Sequence, residues 1–334
     1  MLKFFLILIF FYTNYTLSKT DNFINLYSAR QSVLMEPLIE AFQKETDIKV
    51  NIIAAKASQL INRIESEGQY TKADILLTTD VGRLIQAQKK KLFIKVESEI
   101  INEALPSKFK DEKNEWFGLS LRSRILVYNT KKVDKSNLSG YFDLSNKKWD
   151  RRIMVRSSNN VYNQSLVAAM ILNYGEKKVE KFLKNFVKNF ARKPSGGDRD
   201  QIKAVVAGQG DIALVNSYYF LKMKFNDHKD TLKNVAVHFP SDGIMNTHVN
   251  LSGAGIIKYS KNYINSVKFL EFMLSDQAQE IYSDINYEYP IKKKIKVSNK
   301  MQPYLITKQD NLSLFEIGKV NEKAIILMDK AGWK

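Results

Sequence analysis

DIALVNSYYFLKMK, residues 211–224, runs from a short apolar strand through Asn216 and Ser217 into the adjacent pair Tyr218 and Tyr219. Ile212, Leu214 and Val215 form the strand. A strand that stops on Asn-Ser and turns helical puts its last side chains at the mouth of a sheet, where ligands of open α/β folds collect. Deep in a core each phenol hydroxyl would need its own partner or cost about 1–3 kcal/mol. Exposed at a strand end, the two can act together as hard oxygen donors. In a chain with 16 tyrosines a lone pair reads first as ordinary amphipathic sequence, so its meaning depends on what else reaches the same sheet edge.

Upstream, 22–28 reads as a first strand, followed by an amphipathic helix in which Leu34, Leu38 and Phe42 recur every fourth residue. DIKVNIIAA (47–55) is a second strand. A helix through Leu60, Ile61 and Ile64 follows, then ADILLTTD (73–80), apolar on both faces as parallel sheets require. This alternation gives a doubly wound α/β lobe. EWFGLSLRSRILVYNT (115–130) is long enough to cross between lobes. A second α/β set then begins with a strand at RRIMVRSS (151–158) and a helix at 161–175. The next helix is strongly amphipathic, with Phe182, Phe186 and Phe190 on one stripe, and the two glycines of SGGDRD read as a turn before another. Residues 235–240 and 249–260 are further strands, the second returning to the first lobe, and 263–284 reads as one helix packing through Val267, Leu270 and Leu274. The expected division is 19–121 with 246–296 for an N-terminal lobe, and 122–245 with 297–334 for a C-terminal lobe.

A chain of 334 residues with 44% apolar and 26% charged residues fits two globular lobes. Residues 1–18 carry one early lysine, an apolar run from Phe4 to Tyr12 and small residues at Thr16 and Ser18, the pattern of a secretory signal peptide. The mature chain is therefore expected to be exported, starting near Lys19. Cysteine is absent, which removes disulfides, thiolate metal sites and cysteine nucleophiles. The net charge is +17, but the lysines are spread along the chain with no nucleic-acid-binding module. His228, His238 and His248 lie ten apart with no HxxxH or HExxH spacing. No Walker or dinucleotide loop occurs, and without a GxSxG elbow a hydrolase triad has no anchor; an enzyme using Tyr218 or Tyr219 as acid or base would lack an accompanying nucleophile, paired base or cofactor motif.

What remains is a set of oxygen and guanidinium groups at strand ends and helix starts. Arg30 and Gln31 precede a helix whose free N–H groups attract an anion. Arg122 sits in the crossing segment, Ser157 to Asn160 follow a strand, and Tyr162 opens the next helix. Across a two-lobed cleft these groups, with Tyr218 and Tyr219, can converge.

Over nearly all of the mature chain the sequence resembles the bacterial periplasmic ferric-iron-binding proteins, relatives of the transferrins in fold and ligand choice. The resemblance is carried by YSARQ (27–31), ADILLTTD, WFGLSLRSR, VRSSNNVYNQSLVAAMI, ARKPSGGDRDQIKAV, VNSYYF and NYEYPIK (286–292). It implies the two-lobed periplasmic binding protein fold of type II, with two doubly wound α/β lobes, a cleft and crossing hinge strands. Many relatives carry a His or Tyr iron ligand after the first strand; Gln31 and Ser32 stand there instead. The sequence thus resembles the subgroup in which three tyrosines and a carbonate hold Fe(III). Carried over by position, Tyr162, Tyr218 and Tyr219 would be the ligands. Arg30, Gln31 and Arg122 would hold the carbonate, with Ser158 and Asn160 from the facing loop. A hard trivalent ion prefers anionic oxygen, and a planar guanidinium suits a planar carbonate. Phenolates and carbonate together exceed the charge of the metal, an excess Arg30 and Arg122 would offset. The resemblance further implies a monomer that delivers iron to the permease of an ABC-type inner-membrane importer and binds no nucleic acid. The same groups leave open an oxyanion or a small organic solute as the ligand.

Overall fold

A computed structural model describes residues 22–227, 232–292 and 294–334. The signal segment 1–18 and His228 lie outside the described residues.

The chain begins with the alternation β1 (Phe23–Ser28), α1 (Ser32–Thr46), β2 (Lys49–Ala54), α2 (Ala57–Glu67), β3 (Ile75–Thr78) and α3 (Val81–Lys89). The every-fourth pattern of α1 does bury Leu34, Leu38 and Phe42. β1 pairs in parallel with both β2 and β3, and all of β3 is buried, as its two-sided apolar run requires. After α4 (Glu99–Ala104) comes β4 (Phe117–Asn129), buried along its whole length. The second half contains β5 (Ile153–Met154), α5 (Val161–Tyr174), α6 (Glu176–Lys188), α7 (Asp198–Val206), β6 (Ile212–Asn216), α8 (Ser217–Lys222) and β7 (Val235–His238). The chain then returns through β8 (Val249–Ile256), α9 (Tyr263–Met273), α10 (Asp276–Asp284) and β9 (Tyr289–Pro290), and ends with α11 (Leu314–Lys330).

The strands follow the order β2-β1-β3-β8-β4-β6-β5, with β7 and β9 also paired to β4. β4 is the shared member. Phe117–Ser123 lies antiparallel to β8, and Arg124–Tyr128 antiparallel to β6. One strand therefore belongs to both α/β halves, and the polar side chains at its middle sit where the halves meet. Each half has its own aromatic core: Phe42 against Phe269 and Phe272 in the first, Phe182, Phe186, Phe190 and Trp333 in the second. α11 packs against α5 and also against α3, so the last helix touches both halves.

Three expectations need correction. Residues 263–284 form two helices, because Ser275 stops the first and caps the second, its Oγ accepting from the Ala278 amide at 3.2 Å. Of the strand expected over 151–158, only Ile153 and Met154 join the sheet; the rest turns toward the cleft. Phe190 lies past the end of α6, yet its ring still meets Phe186, 5.1 and 4.9 Å separating successive centroids of the Phe182, Phe186 and Phe190 stripe.

β8 crosses so close to β4 that a Cβ at Gly253 would lie 2.6 Å from the Phe117 carbonyl oxygen and 2.8 Å from Leu84 Cδ1. Backbone cannot yield as a side chain can. Gly253→Ala is expected to lower stability by about 1–3 kcal/mol; an unchanged urea unfolding midpoint would show that the crossing strands are looser than described.

Candidate metal centre

The end of β6 and the start of α8 carry Tyr218 and Tyr219, whose ring centroids are 4.1 Å apart with planes inclined at 31°. Tyr162 occupies the first turn of α5, whose N-cap is Asn160. All three phenols come from the second half. Facing them from the first half and the crossing strands are Arg30, Gln31, Thr79, Arg122, Ser252 and Glu288, and together these line a cavity of about 110 Å³. Contrary to the expectation of exposed phenols, Tyr218 is only 4% exposed, because α8 packs it into the core against β4, β6 and α7.

The two arginines are held together by one hydroxyl. Ser252 Oγ accepts from Arg30 Nη1 at 2.9 Å and from Arg122 Nη1 at 3.3 Å. Each guanidinium also has a carboxylate. Arg30 Nη2 donates to Glu288 at 2.6 Å, and Arg122 Nη2 to Asp80 at 3.5 Å. Ser120 donates to Glu288, and Ser165 on α5 donates to both oxygens of Asp80 at 2.7 and 2.8 Å. The Nε atoms of Arg30 and Arg122 are buried without a protein partner, so both retain a donor. Arg122 also lies over the Tyr162 ring, its Cζ 4.8 Å from the centroid.

A second space of about 430 Å³ adjoins the first and shares Ala29, Thr79, Tyr162 and Tyr219 with it. Its charged lining is Lys56, Arg83 and Arg156, with no carboxylate. Asn160 lines this outer space, and its Oδ1 is buried without a partner. Ser158 lines neither space; its carbonyl accepts from Gln164 Nε2 at 3.0 Å. Arg156 stands 5.7 Å from the Tyr162 ring centroid and Arg199 5.7 Å from that of Tyr219. Arg30 and Arg122 being matched to carboxylates, the surplus positive charge beside the phenols lies with this outer group. Asp198 is the nearest carboxylate to it, 3.6 Å from Arg156 and 3.3 Å from the buried Arg124.

Burial raises the Tyr218 hydroxyl well above the ordinary phenol range, and the nearby Tyr162 and Tyr219 oxygens push it further. Burial also raises Tyr219, with Tyr162 and Asp198 adding to the effect. Both phenols are therefore neutral at neutral pH. A ligand that needs them as phenolates must supply positive charge to displace the protons. Burial likewise raises the Asp80 carboxyl, against the pull of Arg122 and Ser165. Among the described residues no three His, Asp or Glu side chains converge as a metal site.

Sequence reading passed over Glu288, Asp80, Ser252 and Thr79 as site residues. Two of them carried a signal. Glu288 lies between tyrosines in NYEYP, and Asp80 ends a buried strand where an N-cap is due; Ser252 and Thr79 had none.

Two α/β halves sharing long crossing strands, with a polar cavity between them, have the architecture of a two-lobed solute-binding protein. The chain belongs to the family of bacterial extracellular solute-binding proteins, whose profile matches residues 70–313. It is 40% identical over 314 residues to iron uptake protein A1 of Synechocystis sp., covering 93% of this chain and 87% of that protein. A solved Trichodesmium protein, described as in complex with iron and citrate ligands, superposes with a TM-score of 0.87 at 42% identity, covering 93% of this chain and all of that one. The ferric binding protein from Campylobacter jejuni superposes at 0.89 with 34% identity over 93% of this chain and all of that chain.

His248, at the start of the returning strand, is buried with neither ring nitrogen partnered. Burial, then the charges of Arg124 and Arg122, push its imidazole down to about 3. The unfolded chain takes up that proton near pH 6.5 and the folded chain does not, so stability falls as pH drops from about 6.5 toward 3, by up to ~1.4 kcal/mol per pH unit. His248→Gln is expected to flatten this slope, measured by urea unfolding at several pH values. Equal slopes in the two proteins would rule the assignment out.

Proposed function

We propose that this periplasmic solute-binding protein captures ferric iron through Tyr162, Tyr218 and Tyr219, together with a small oxygen anion, and delivers it to the permease of an ABC-type inner-membrane importer. The observation that carries the reading is the meeting of three phenols with two buried guanidiniums on one small cavity. No carboxylate–imidazole cluster competes for a metal among the described residues. The names of the relatives point the same way. Phenolate is a hard anionic donor matched to Fe(III), and the ion supplies the charge needed to expel phenol protons that burial otherwise retains.

In this reading carbonate is the synergistic anion. The Arg30 and Arg122 guanidiniums would hold it in bidentate fashion, with Gln31 and Asn160 assisting and Ser158 ordering the facing loop through its bond to Gln164. Five oxygen donors would then leave one position for water. The protein acts as a monomeric carrier and catalyses no reaction. The lobes 19–121 with 246–296 and 122–245 with 297–334 close on the metal about the shared strands. A second reading of the anion has its own support. The outer space beside Tyr162 and Tyr219 is cationic and free of carboxylates, which suits iron arriving as an anionic chelate such as the citrate named for the Trichodesmium structure.

Adding ferric citrate and bicarbonate to iron-free protein is expected to give a phenolate-to-iron absorption band and a red colour, and Tyr219→Phe to weaken it. A colourless wild-type protein that retains no iron on desalting would refute the reading. Repeating the loading with citrate and no bicarbonate separates the two anions: an undiminished band favours the chelate. Because loading expels phenol protons, acid reverses it. Iron held equally at pH 7.5 and pH 4 would mean that the phenols are not the ligands.

A further inference from the structure

The buried side of α6 is formed by Val179, Phe182, Leu183 and Phe186. Its opposite side carries Lys177, Lys181, Lys184 and Lys188, spaced 4, 3 and 4 apart, so that they form one exposed stripe roughly 16 Å long. α11 runs beside α6 in the same direction: Lys323 Nζ lies 2.9 Å from Glu176 at one end, and the Trp333 ring 5.3 Å from that of Phe186 at the other. α11 adds Lys330 and Ile326, the latter 54% exposed.

The carboxylates within this face are already taken. Glu176 pairs with Lys323, and Glu180 with Lys184 at 2.9 Å. Lys177, Lys181 and Lys188 have no ion pair among the described residues, Lys330 shares Glu180 with Lys184, and Asp329, three positions from Ile326, is an exposed carboxylate on α11. None of these lysines lines the cleft.

We propose that the paired helices α6 and α11 form a docking face for an anionic lipid bilayer. Two parallel helices offer a flat surface, and ammonium groups act on it as point charges with no fork geometry to read a planar partner. The aromatic rings of α6 are turned inward, so a nucleic-acid strand finds no stacking platform. Ile326, exposed beside the lysines, adds a small apolar contact to the charge attraction. The +17 charge of the chain adds long-range attraction toward an anionic surface. Adhesion of this kind confines an exported carrier to the membrane plane independently of what fills its cleft.

Cosedimentation of the mature protein with vesicles tests this. Vesicles of phosphatidylcholine with about one-third phosphatidylglycerol should bind the protein at low salt, and pure phosphatidylcholine vesicles should not. At roughly 1 kcal/mol per lysine, equivalent to about fivefold, Lys177→Gln, Lys181→Gln and Lys188→Gln together should weaken binding on the order of a hundredfold. Unfolding temperature and iron loading should stay unchanged. A control variant that removes three lysines from the other half, Lys44→Gln, Lys49→Gln and Lys108→Gln, has the same net charge. Equal loss in the control, no loss in the α6 variant, or equal binding to both vesicle types would overturn the proposal. So would retention of a DNA oligomer through the same lysines while vesicles are ignored.

Discussion

Every buried guanidinium around the cleft is matched to a carboxylate supplied from another part of the chain. Arg30 meets Glu288, Arg122 meets Asp80, and Arg124 meets Asp198. Removing one partner from such a pair costs about 3–5 kcal/mol, because the other charge stays buried and unpaired. These pairs therefore hold the crossing strand, the end of β3, the start of α7 and the turn before β9 in fixed relation. Asp80 does most: it caps α3 by accepting from the Gly82 amide at 2.9 Å, pairs with the crossing strand, and accepts from Ser165 of the second half. The floor of the cleft is thus built before any ligand arrives.

That arrangement separates two electrostatic tasks. The inner arginines are neutralised by their own carboxylates and are left with undirected donors, the buried Nε atoms. Such groups can orient a small anion without adding net charge. The cations at the mouth, Lys56, Arg83 and Arg156, have no carboxylate in their shared space, Arg156 sharing Asp198 with Arg124 behind it, and in the proposed function they would supply the positive field that phenolate ligands need. With Tyr218 and Tyr219 held neutral by burial, the phenols themselves add no negative charge to the cleft. In the proposed function its affinity for a cation appears only when proton loss and metal entry occur together.

Some expectations failed where local pattern gave no warning. The break after Met273 depends on Ser275 turning its hydroxyl back onto the Ala278 amide, a choice invisible in an apolar period that continues through Leu274. The strand at 151–158 stops after Met154 because only Ile153 and Met154 find a neighbour in β6. Tyr218 is packed into the core, and no window of sequence reports which distant elements close over a strand end.

Read alone, the sequence determined the alternation of strands and helices and the long crossing segment. It put Arg30, Tyr162, Tyr218 and Tyr219 at strand ends or helix starts and Arg122 in the crossing segment, where a cleft lets them converge. These follow from short-range periodicity and from the rule that strand ends face one cleft. Tertiary structure decided which charges are free to act. Arg30 finds Glu288 258 positions away and Arg122 finds Asp80 across 42. A charge pair depends on distance in space, which residue spacing does not encode, so only the folded chain could assign surplus positive charge to the mouth of the cleft.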